Sequence, residues 1–129
     1  MAFTSCSVLI NGLNSQLKRS MCLEWLKMHS IDVALIQETH FKHIDKHKLA
    51  NHYYHTAAAA CYNSKSCGVL VLLKRSLSLS IIDCFESDDG RITYIKTNIC
   101  GKKVALFVCS KYIRSIILSN YKQHFGQLA

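Results

Sequence analysis

The sequence lacks the short motifs that mark several large enzyme classes. It contains no P-loop, no G-x-G-x-x-G and no G-x-S-x-G nucleophile elbow, the motifs that hold nucleotide phosphates, dinucleotides and the serine of many hydrolases. It also lacks a long apolar run, since the aliphatic stretch 69–73 is far shorter than the roughly 20 residues of a transmembrane helix. The start carries no basic leader region. We therefore expect a protein of the nucleus or the cytoplasm, without a membrane partner.

The cysteines and histidines form no recognisable zinc motif. There are seven cysteines, an odd number, and none belongs to a C-x-x-C pair. Cys6, Cys100 and Cys109 lie inside apolar runs, which is typical of reduced cysteines in an intracellular protein. A histidine-rich segment contains His40, His43, His47, His52 and His55. No acidic or thiolate ligand completes a zinc site there, so we expect a solvated, partly titrating surface.

Acidic residues are scarce relative to basic ones. The 129 residues include 8 Asp and Glu against 16 Lys and Arg, which gives a net charge of +8 and a pI near 9.2. This balance favours an anionic partner such as nucleic acid, although a basic domain without such a partner has the same composition. The length suits one domain over residues 1–129, and half of the residues are hydrophobic, which is enough for a core of ordinary size.

Hydrophobic patterning predicts a strand–helix–strand unit near the start. Residues 7–10 and 31–36 are short apolar runs, and the second is nearly continuous, as in strands that are buried on both faces. Residues 16–29 between them have helical spacing, with Asn14 or Ser15 as the N-cap. The apolar face of this helix is expected to contain Leu17, Met21, Trp25 and Met28.

The remaining sequence predicts a meander of strands between two helices. The expected elements are a short helix at 41–50, strands at 53–61, 68–73 and 77–84, a turn at 88–90, strands at 91–99 and 103–109 that pair across Gly101, and a terminal helix at 112–128. For 53–61 the four alanines also fit a helix, and the surrounding sequence favours the strand. Together with the first unit, these elements indicate an α/β protein in which helices pack on a mixed sheet.

Two polar residues follow the first two predicted strands. Asn11 comes directly after an apolar run, and Glu38 follows the second run after one glutamine. In layered α/β folds ligands collect beyond the carboxyl ends of the strands, and a carboxylate there suits Mg²⁺, which takes one or two carboxylates together with waters and substrate phosphates. An amide beside it can hold a phosphate oxygen. On the residues alone, the simpler interpretation is a solvated loop glutamate and a turn-forming asparagine.

Longer segments around these residues carry a family resemblance. INGLNS after the first strand and IQETH after the second, followed by CGVLVLL and DDGRITYIKTNICGKKVALFV, resemble the endonuclease domain of LINE-type retrotransposons. That domain is grouped in the exonuclease/endonuclease/phosphatase superfamily, alongside apurinic/apyrimidinic endonucleases and DNase I. The resemblance reaches Val108 and implies a DNase I-like four-layer α/β sandwich of two packed sheets, of which this chain encodes roughly the first half.

The resemblance implies a Mg²⁺-dependent endonuclease that cleaves phosphodiester bonds in DNA. Carried over by motif, Glu38 is the Mg²⁺ ligand and Asn11 is the active-site amide at the metal-bound phosphate. The loop 63–67 is similar to a family loop that contacts the DNA backbone, with Lys65 as its phosphate partner, although a solvated lysine explains it equally well. Further phosphate contacts are expected from Lys18, Arg19 and Lys42.

Several family motifs have no counterpart in this sequence. Where the family has Tyr-Ala-Pro-Asn, the chain reads VCSKYIRS, with Cys109 or Ser110 in place of the tyrosine, and it contains no proline at all. Gly-Asp-Phe-Asn and Ser-Asp-His are absent too. We therefore expect a C-terminally truncated domain that is inactive alone and that self-associates through an uncovered apolar sheet face. The alternatives are a non-catalytic nucleic-acid-binding remnant and a half-domain that needs a partner.

Overall fold

The computed structural model describes residues 3–77, 79–99, 101–110, 116–117 and 127–128. The helical elements are α1 (Gln16–Met28) and one 3₁₀ turn, His43–Asp45. The strands are β1 (Ser5–Leu9), β2 (Val33–Gln37), β3 (Tyr54–Ala60), β4 (Val69–Lys74), β5 (Ser80–Glu86), β6 (Ile92–Ile99), β7 (Lys102–Cys109), β8 (Ile116–Ile117) and β9 (Gln127–Leu128).

The strands form two sheets. The first has the order β3-β4-β2-β1-β9, with β1 parallel to both β2 and β9, and β4 antiparallel to both β2 and β3. The second is antiparallel, in the order β5-β6-β7-β8. The predicted α/β class and the strand–helix–strand unit are confirmed. The prediction of a single mixed sheet is wrong, because β5, β6 and β7 form a sheet of their own.

The two sheets pack face to face around a shared apolar layer. Val33, Leu35 and Val71 of the first sheet lie in this layer with Ile95 and Leu106 of the second, and none of the five is more than 1% exposed. The face of the first sheet that was expected to stay uncovered is therefore covered, and that expectation is wrong. From Val104 onward every second residue of β7 is buried, as in a sheet with a single core face.

Helix α1 covers the opposite face of the first sheet. It begins after Ser15, whose hydroxyl accepts a hydrogen bond from the Lys18 amide, so the predicted N-cap is confirmed. Leu26 of the helix packs in one cluster with Val8 and Ile36 of the sheet. Because β2 is covered on both faces, all of its residues are buried, as its continuous apolar sequence predicted.

The face of α1 that contacts the sheet differs from the predicted one. Leu17, Met21 and Met28 are 71%, 64% and 71% exposed, whereas Leu26 is fully buried. Only Trp25 among the four predicted residues packs against the core, and it is half-buried. The prediction failed because apolar residues surround most of this helix, so periodicity alone does not select one of two stripes.

The helix predicted at 41–50 is also wrong. The segment contains one 3₁₀ turn, His43–Asp45, followed by further turns. Phe41 and Leu49 are both fully buried and anchor the segment to the core at its two ends. Between them the residues are exposed or half-buried, so a longer helix would have no apolar face to bury.

The prediction of a terminal helix at 112–128 is wrong for residues 116–117 and 127–128, which the structure describes. Short strands occur there instead, Ile116–Ile117 beside β7 and Gln127–Leu128 beside β1. The rest of that prediction lies outside the described residues. Among the helices that are described, none is long and apolar enough to cross a membrane.

Replacing Leu26 with alanine is expected to lower the free energy of unfolding by about 2–5 kcal/mol, because it leaves a cavity between α1 and the first sheet. Leu17 on the same helix is 71% exposed, so Leu17→Ala is expected to change stability by no more than about 0.5 kcal/mol. Urea denaturation followed by circular dichroism measures both. A larger loss for Leu17→Ala than for Leu26→Ala would show that the helix turns its other stripe to the sheet.

Candidate functional site

The carboxyl ends of β1 and β2 lie side by side. The strands pair in parallel up to Leu9, which is opposite Gln37. Pairing then continues beyond the strands, because the Gly12 amide donates to the Glu38 carbonyl at 2.9 Å. The backbone segments that contain Asn11 and Glu38 are therefore adjacent at the carboxyl ends of the two strands, as the sequence predicted. What their side chains do stays a prediction.

A third segment, residues 63–68, lies beside the two segments that follow β1 and β2. We call these three segments, residues 11–14, 38–40 and 63–68, the carboxyl edge, because they lie at the carboxyl ends of β1 and β2. The His40 amide donates to the Cys67 carbonyl at 3.0 Å. The side-chain amide of Asn14 donates to the carbonyls of His40, at 2.8 Å, and of Ser64, at 3.3 Å. One asparagine thus links the loop after β1, the segment after β2 and the loop before β4.

Much of the carboxyl edge has left-handed backbone. Glu38 and His40 each have a φ of 58°, and Cys67 has a φ of 61°, conformations that cost an L-residue about 1–2 kcal/mol each. Gly68 has a φ of 100°, and a Cβ there would overlap the Thr39 hydroxyl and lie 3.1 Å from the His40 amide nitrogen. Such conformations persist only where the surrounding contacts hold them, and they are common at functional sites.

His40 is the side-chain neighbour of Glu38. Its Nε2 lies 3.1 Å from Oε2 of Glu38, and the two side chains are 15% and 29% exposed. The imidazole packs against Gly12, where an added Cβ would lie 2.8 Å from Nδ1. These contacts fix the direction of the carboxylate. The prediction of a solvated surface is wrong for His40. The sequence contained no periodic signal for this contact, because the backbone at Glu38 and His40 is left-handed rather than extended.

Three lysines lie in or beside the segments of the carboxyl edge. The Nζ of Lys18 donates to the Asn11 carbonyl at 2.8 Å, so its charge lies next to the asparagine. Lys65 is exposed in the loop before β4, where the Asn63 side-chain oxygen accepts from the Lys65 amide at 2.9 Å and shapes the turn. Lys42 comes two residues after His40 in the sequence and is exposed. All three are placed to increase the attraction of this edge for anions.

Arg19, the fourth residue expected to contact phosphate, has a different surrounding. Its Nη1 donates to the carbonyls of Leu13 and Asn14, both at 3.0 Å, and the residue is half-buried. The guanidinium therefore stabilises the loop between β1 and α1. Its charge still contributes to the field at the carboxyl edge.

Glu38 is the acidic residue of the carboxyl edge. Asp32 precedes β2 at the opposite end, where it accepts from the Thr4 amide at 2.8 Å and lies 3.8 Å from Nζ of Lys74. Across the described residues, no group of three or more His, Cys, Asp and Glu side chains is arranged to hold a metal. A single carboxylate fits a largely hydrated Mg²⁺ that binds together with a substrate phosphate.

The position where the resemblance expects a tyrosine lies between the two sheets at the carboxyl edge. The side-chain amide of Gln37 donates to the Cys109 carbonyl, and the Ser110 amide donates to the Arg91 carbonyl at 2.8 Å. Burial raises the pKa of the Cys109 thiol and raises that of Cys61 to about 11. Burial thus favours the protonated thiol at both positions.

Replacing Gly68 with alanine is expected to lower the free energy of unfolding by about 2–5 kcal/mol, because a left-handed conformation and a steric overlap are combined. Gly101 is the matched control, since its φ is 78° and nothing lies within 4 Å of an added Cβ. Gly101→Ala should cost only the backbone contribution of about 1–2 kcal/mol. Urea denaturation compares them, and equal losses would mean that the loop before β4 does not approach Thr39 closely.

A family model also covers the carboxyl edge. The model described as the endonuclease/exonuclease/phosphatase family matches residues 9–127, a range that contains both Asn11 and Glu38. Domains of this family are of the phosphodiester-cleaving or phosphatase type and generally depend on a divalent metal. The two packed sheets with α1 on one outer face agree with part of a DNase I-like α/β sandwich. Because the match spans most of the sequence, the chain belongs to the endonuclease/exonuclease/phosphatase family.

Proposed function

We propose that this chain supplies the metal- and phosphate-binding part of a Mg²⁺-dependent site that cleaves phosphodiester bonds in DNA. The observation that carries the proposal is that Asn11 and Glu38 meet at one sheet edge, with the Lys18 ammonium beside them. Family membership alone also fits a phosphatase-type domain, but the lysines around the edge favour a polyanionic substrate. The similarity of INGLNS and IQETH to LINE-type retrotransposon endonucleases supports DNA as that substrate and a retrotransposon origin.

Each side chain has a separate task in the proposed site. Glu38 binds the divalent metal, which when present polarises the phosphate and stabilises the charge that develops on it. Asn11 donates its side-chain amide to a phosphate oxygen. His40 holds the Glu38 carboxylate in one direction through the 3.1 Å contact. Lys18 and Lys65 attract the flanking phosphates of the DNA backbone and displace its counterions.

We propose further that these 129 residues do not cleave DNA by themselves. Phosphodiester cleavage needs a metal, an oriented nucleophile and charge stabilisation at the phosphate. Glu38 and Asn11 serve the first need, but the sequence has no Gly-Asp-Phe-Asn, Ser-Asp-His or Tyr-Ala-Pro-Asn motif to serve the others. A complete site therefore requires residues from a continuation of the polypeptide or from a partner chain.

A non-catalytic DNA-binding function is the second candidate. It is favoured by the exposure of Lys42 and Lys65, because phosphate contacts by lysine need neither a metal nor a nucleophile. The metal-dependent function and the purely DNA-binding function predict different effects of replacing Glu38. A purely binding protein gains nothing from a carboxylate at its basic edge, so Glu38→Ala would strengthen its binding to DNA, whereas a metal-dependent site would lose the effect of Mg²⁺ on binding.

Isothermal titration with Mg²⁺ alone is expected to show weak binding, with a Kd on the order of 1 mM or weaker, because one carboxylate without substrate phosphate leaves the ion mostly hydrated. Glu38→Ala should abolish the remaining signal. Glu24→Ala is the matched control, since Glu24 is exposed on α1, and it should change nothing. Micromolar binding in the absence of DNA would contradict the proposed single-carboxylate site.

A plasmid-nicking assay tests the proposed function directly. The purified chain with Mg²⁺ is expected to leave supercoiled DNA uncut above background, because the nucleophile-orienting and phosphate-stabilising roles have no matching motif in the sequence. The same assay is then repeated on a polypeptide that carries a Gly-Asp-Phe-Asn block downstream of these residues. There we expect nicking that Glu38→Ala abolishes and Glu24→Ala preserves. Nicking by the 129-residue chain that Glu38→Ala abolishes would show that it is an enzyme on its own.

A further inference from the structure

The outer face of the second sheet carries side chains that the carboxyl edge does not use. On β6, Ile95 faces the apolar layer between the sheets, so Tyr94 and Lys96 on either side of it point away from that layer. The pairing places Phe85 and Phe107 on the same outer face as Tyr94. Helix α1 packs on the first sheet, and no other α-helix of the described residues covers this outer face.

Three aromatic rings form a row across this outer face. The centroids of Phe85 and Tyr94 are 5.5 Å apart with planes at 22°, and those of Tyr94 and Phe107 are 6.0 Å apart with planes at 16°. Phe85 is 44% exposed, although it is a large apolar residue, and the other two are half-buried. We call this set the aromatic row. Its most exposed ring, Phe85, presents aromatic surface on this side of the sheet.

Lys96 lies next to the aromatic row. Lys96 pairs with Asp83 on one side and with Ala105 on the other, two residues along each strand from the aromatic row. The Lys96 Nζ lies 5.7 Å from the centre of the Tyr94 ring. A cavity of about 440 Å³ opens here, lined by Ile82, Asp83, Lys96, Lys103, Val104 and Ala105.

Neither lysine of this cavity forms a close ion pair with the described part of the chain. No carboxylate lies within 4.0 Å of the Lys96 or Lys103 ammonium there, although Asp83 is the cross-strand partner of Lys96. Asp83 is the acidic residue of the lining, and its Oδ1 accepts from the Cys84 amide at 2.9 Å. The site therefore combines exposed aromatic surface with two positive charges that an anion can approach.

We propose that the outer face of the second sheet binds single-stranded nucleic acid, separately from the carboxyl edge. Bases stack on the aromatic row, and the phosphates between them contact Lys96 and Lys103. Aromatic side chains on a sheet with lysines beside them suit this ligand, because every base has a π-face and every linkage a negative charge. A duplex is excluded from the same contacts, since its bases are already stacked inside the helix.

The charges favour this ligand over a second copy of the chain. An interface between two copies would bring Lys96 and Lys103 into an apolar layer with only Asp83 for compensation, and burying unpaired charge is costly. Single-stranded nucleic acid instead supplies phosphates to both lysines. This inference does not rest on Mg²⁺, on Glu38 or on cleavage.

The test measures fluorescence anisotropy of a labelled single-stranded oligomer of about 12 nucleotides, within the ~4–16 that such surfaces cover, and of the matching duplex, without Mg²⁺. Tyr94→Leu and Phe85→Leu keep an apolar side chain but remove the ring. Each is expected to weaken single-strand binding by about tenfold and to leave duplex binding unchanged. Circular dichroism and urea denaturation establish that both variants are folded.

The lysines are tested in the same assay. Lys96→Gln together with Lys103→Gln should weaken single-strand binding and reduce the slope of log K against log salt by about 1.4, since each phosphate contact on a single strand contributes ~0.7. Lys27→Gln and Glu24→Ala are the controls, because both residues are exposed on α1, away from either site, and neither should alter single-strand binding by more than about twofold. The assay contains no Mg²⁺ and its variants leave the carboxyl edge intact, so failure of this inference is distinguishable from failure of the proposed function.

Three results would overturn the inference. The first is single-strand binding that is absent, or that is unchanged in Tyr94→Leu and Phe85→Leu. The second is an equal loss of single-strand and duplex binding in the ring variants, which would indicate a general disturbance of the surface. The third is a dimer in sedimentation experiments that Phe85→Leu dissociates, which would show that a second copy occupies this face.

Discussion

The parallel pairing of β1 and β2 is the interaction on which the rest of the structure depends. Parallel strands end at the same edge of a sheet, so the residues that follow them must meet. Here the pairing also continues beyond the strands, through the hydrogen bond from the Gly12 amide to the Glu38 carbonyl. That continuation places Asn11 next to Glu38 and sets the left-handed backbone at Glu38. It also brings His40 close enough to hold the carboxylate.

The packing of the two sheets is the second constraint. The first sheet supplies the carboxyl edge, but hydrogen bonds to the second sheet hold it in position. The side chain of Gln37 donates to the Cys109 carbonyl at the end of β7, and the Gly68 amide donates to the Gly90 carbonyl in the turn before β6. The edge is thus a feature of the packed pair of sheets, which explains why its backbone conformation survives a cost of about 1–2 kcal/mol at each left-handed residue.

The charges of the protein are divided by function. Within the described residues, several of the scarce carboxylates fasten the fold: Asp32 accepts from the Thr4 amide at 2.8 Å, and Glu86 accepts from the Ala59 amide at 2.8 Å and lies 3.4 Å from Nζ of Lys46. Basic side chains are more numerous and lie on several faces of the protein. Lys18 and Lys65 lie at the carboxyl edge, and Lys96 and Lys103 line the cavity of the second sheet. Lys27 and Lys74 instead lie over the Tyr53 ring.

The sequence by itself determined several of the local helices and strands, and the strand ends at which a functional site was expected. The runs before Asn11 and Glu38 predicted two buried strands with α1 between them, and the alternation on either side of Gly101 predicted the hairpin of β6 and β7. The spacing of apolar residues indicates which side chains are buried, and a strand ends where this pattern ends. For that reason the placement of both polar residues could be predicted without knowledge of the rest of the fold.

Only the tertiary structure decided which faces of the helix and of the two sheets pack against each other. It selected Leu26 rather than Leu17 as the inner residue of α1, separated two sheets where one was predicted, and placed His40 against Glu38 rather than in solvent. Each of these outcomes depends on contacts between segments that are distant in sequence, such as Gln37 with Cys109, 72 positions apart. A periodic pattern contains no information about the partner of a buried face, so these features emerge only when the sheets and the helix pack together.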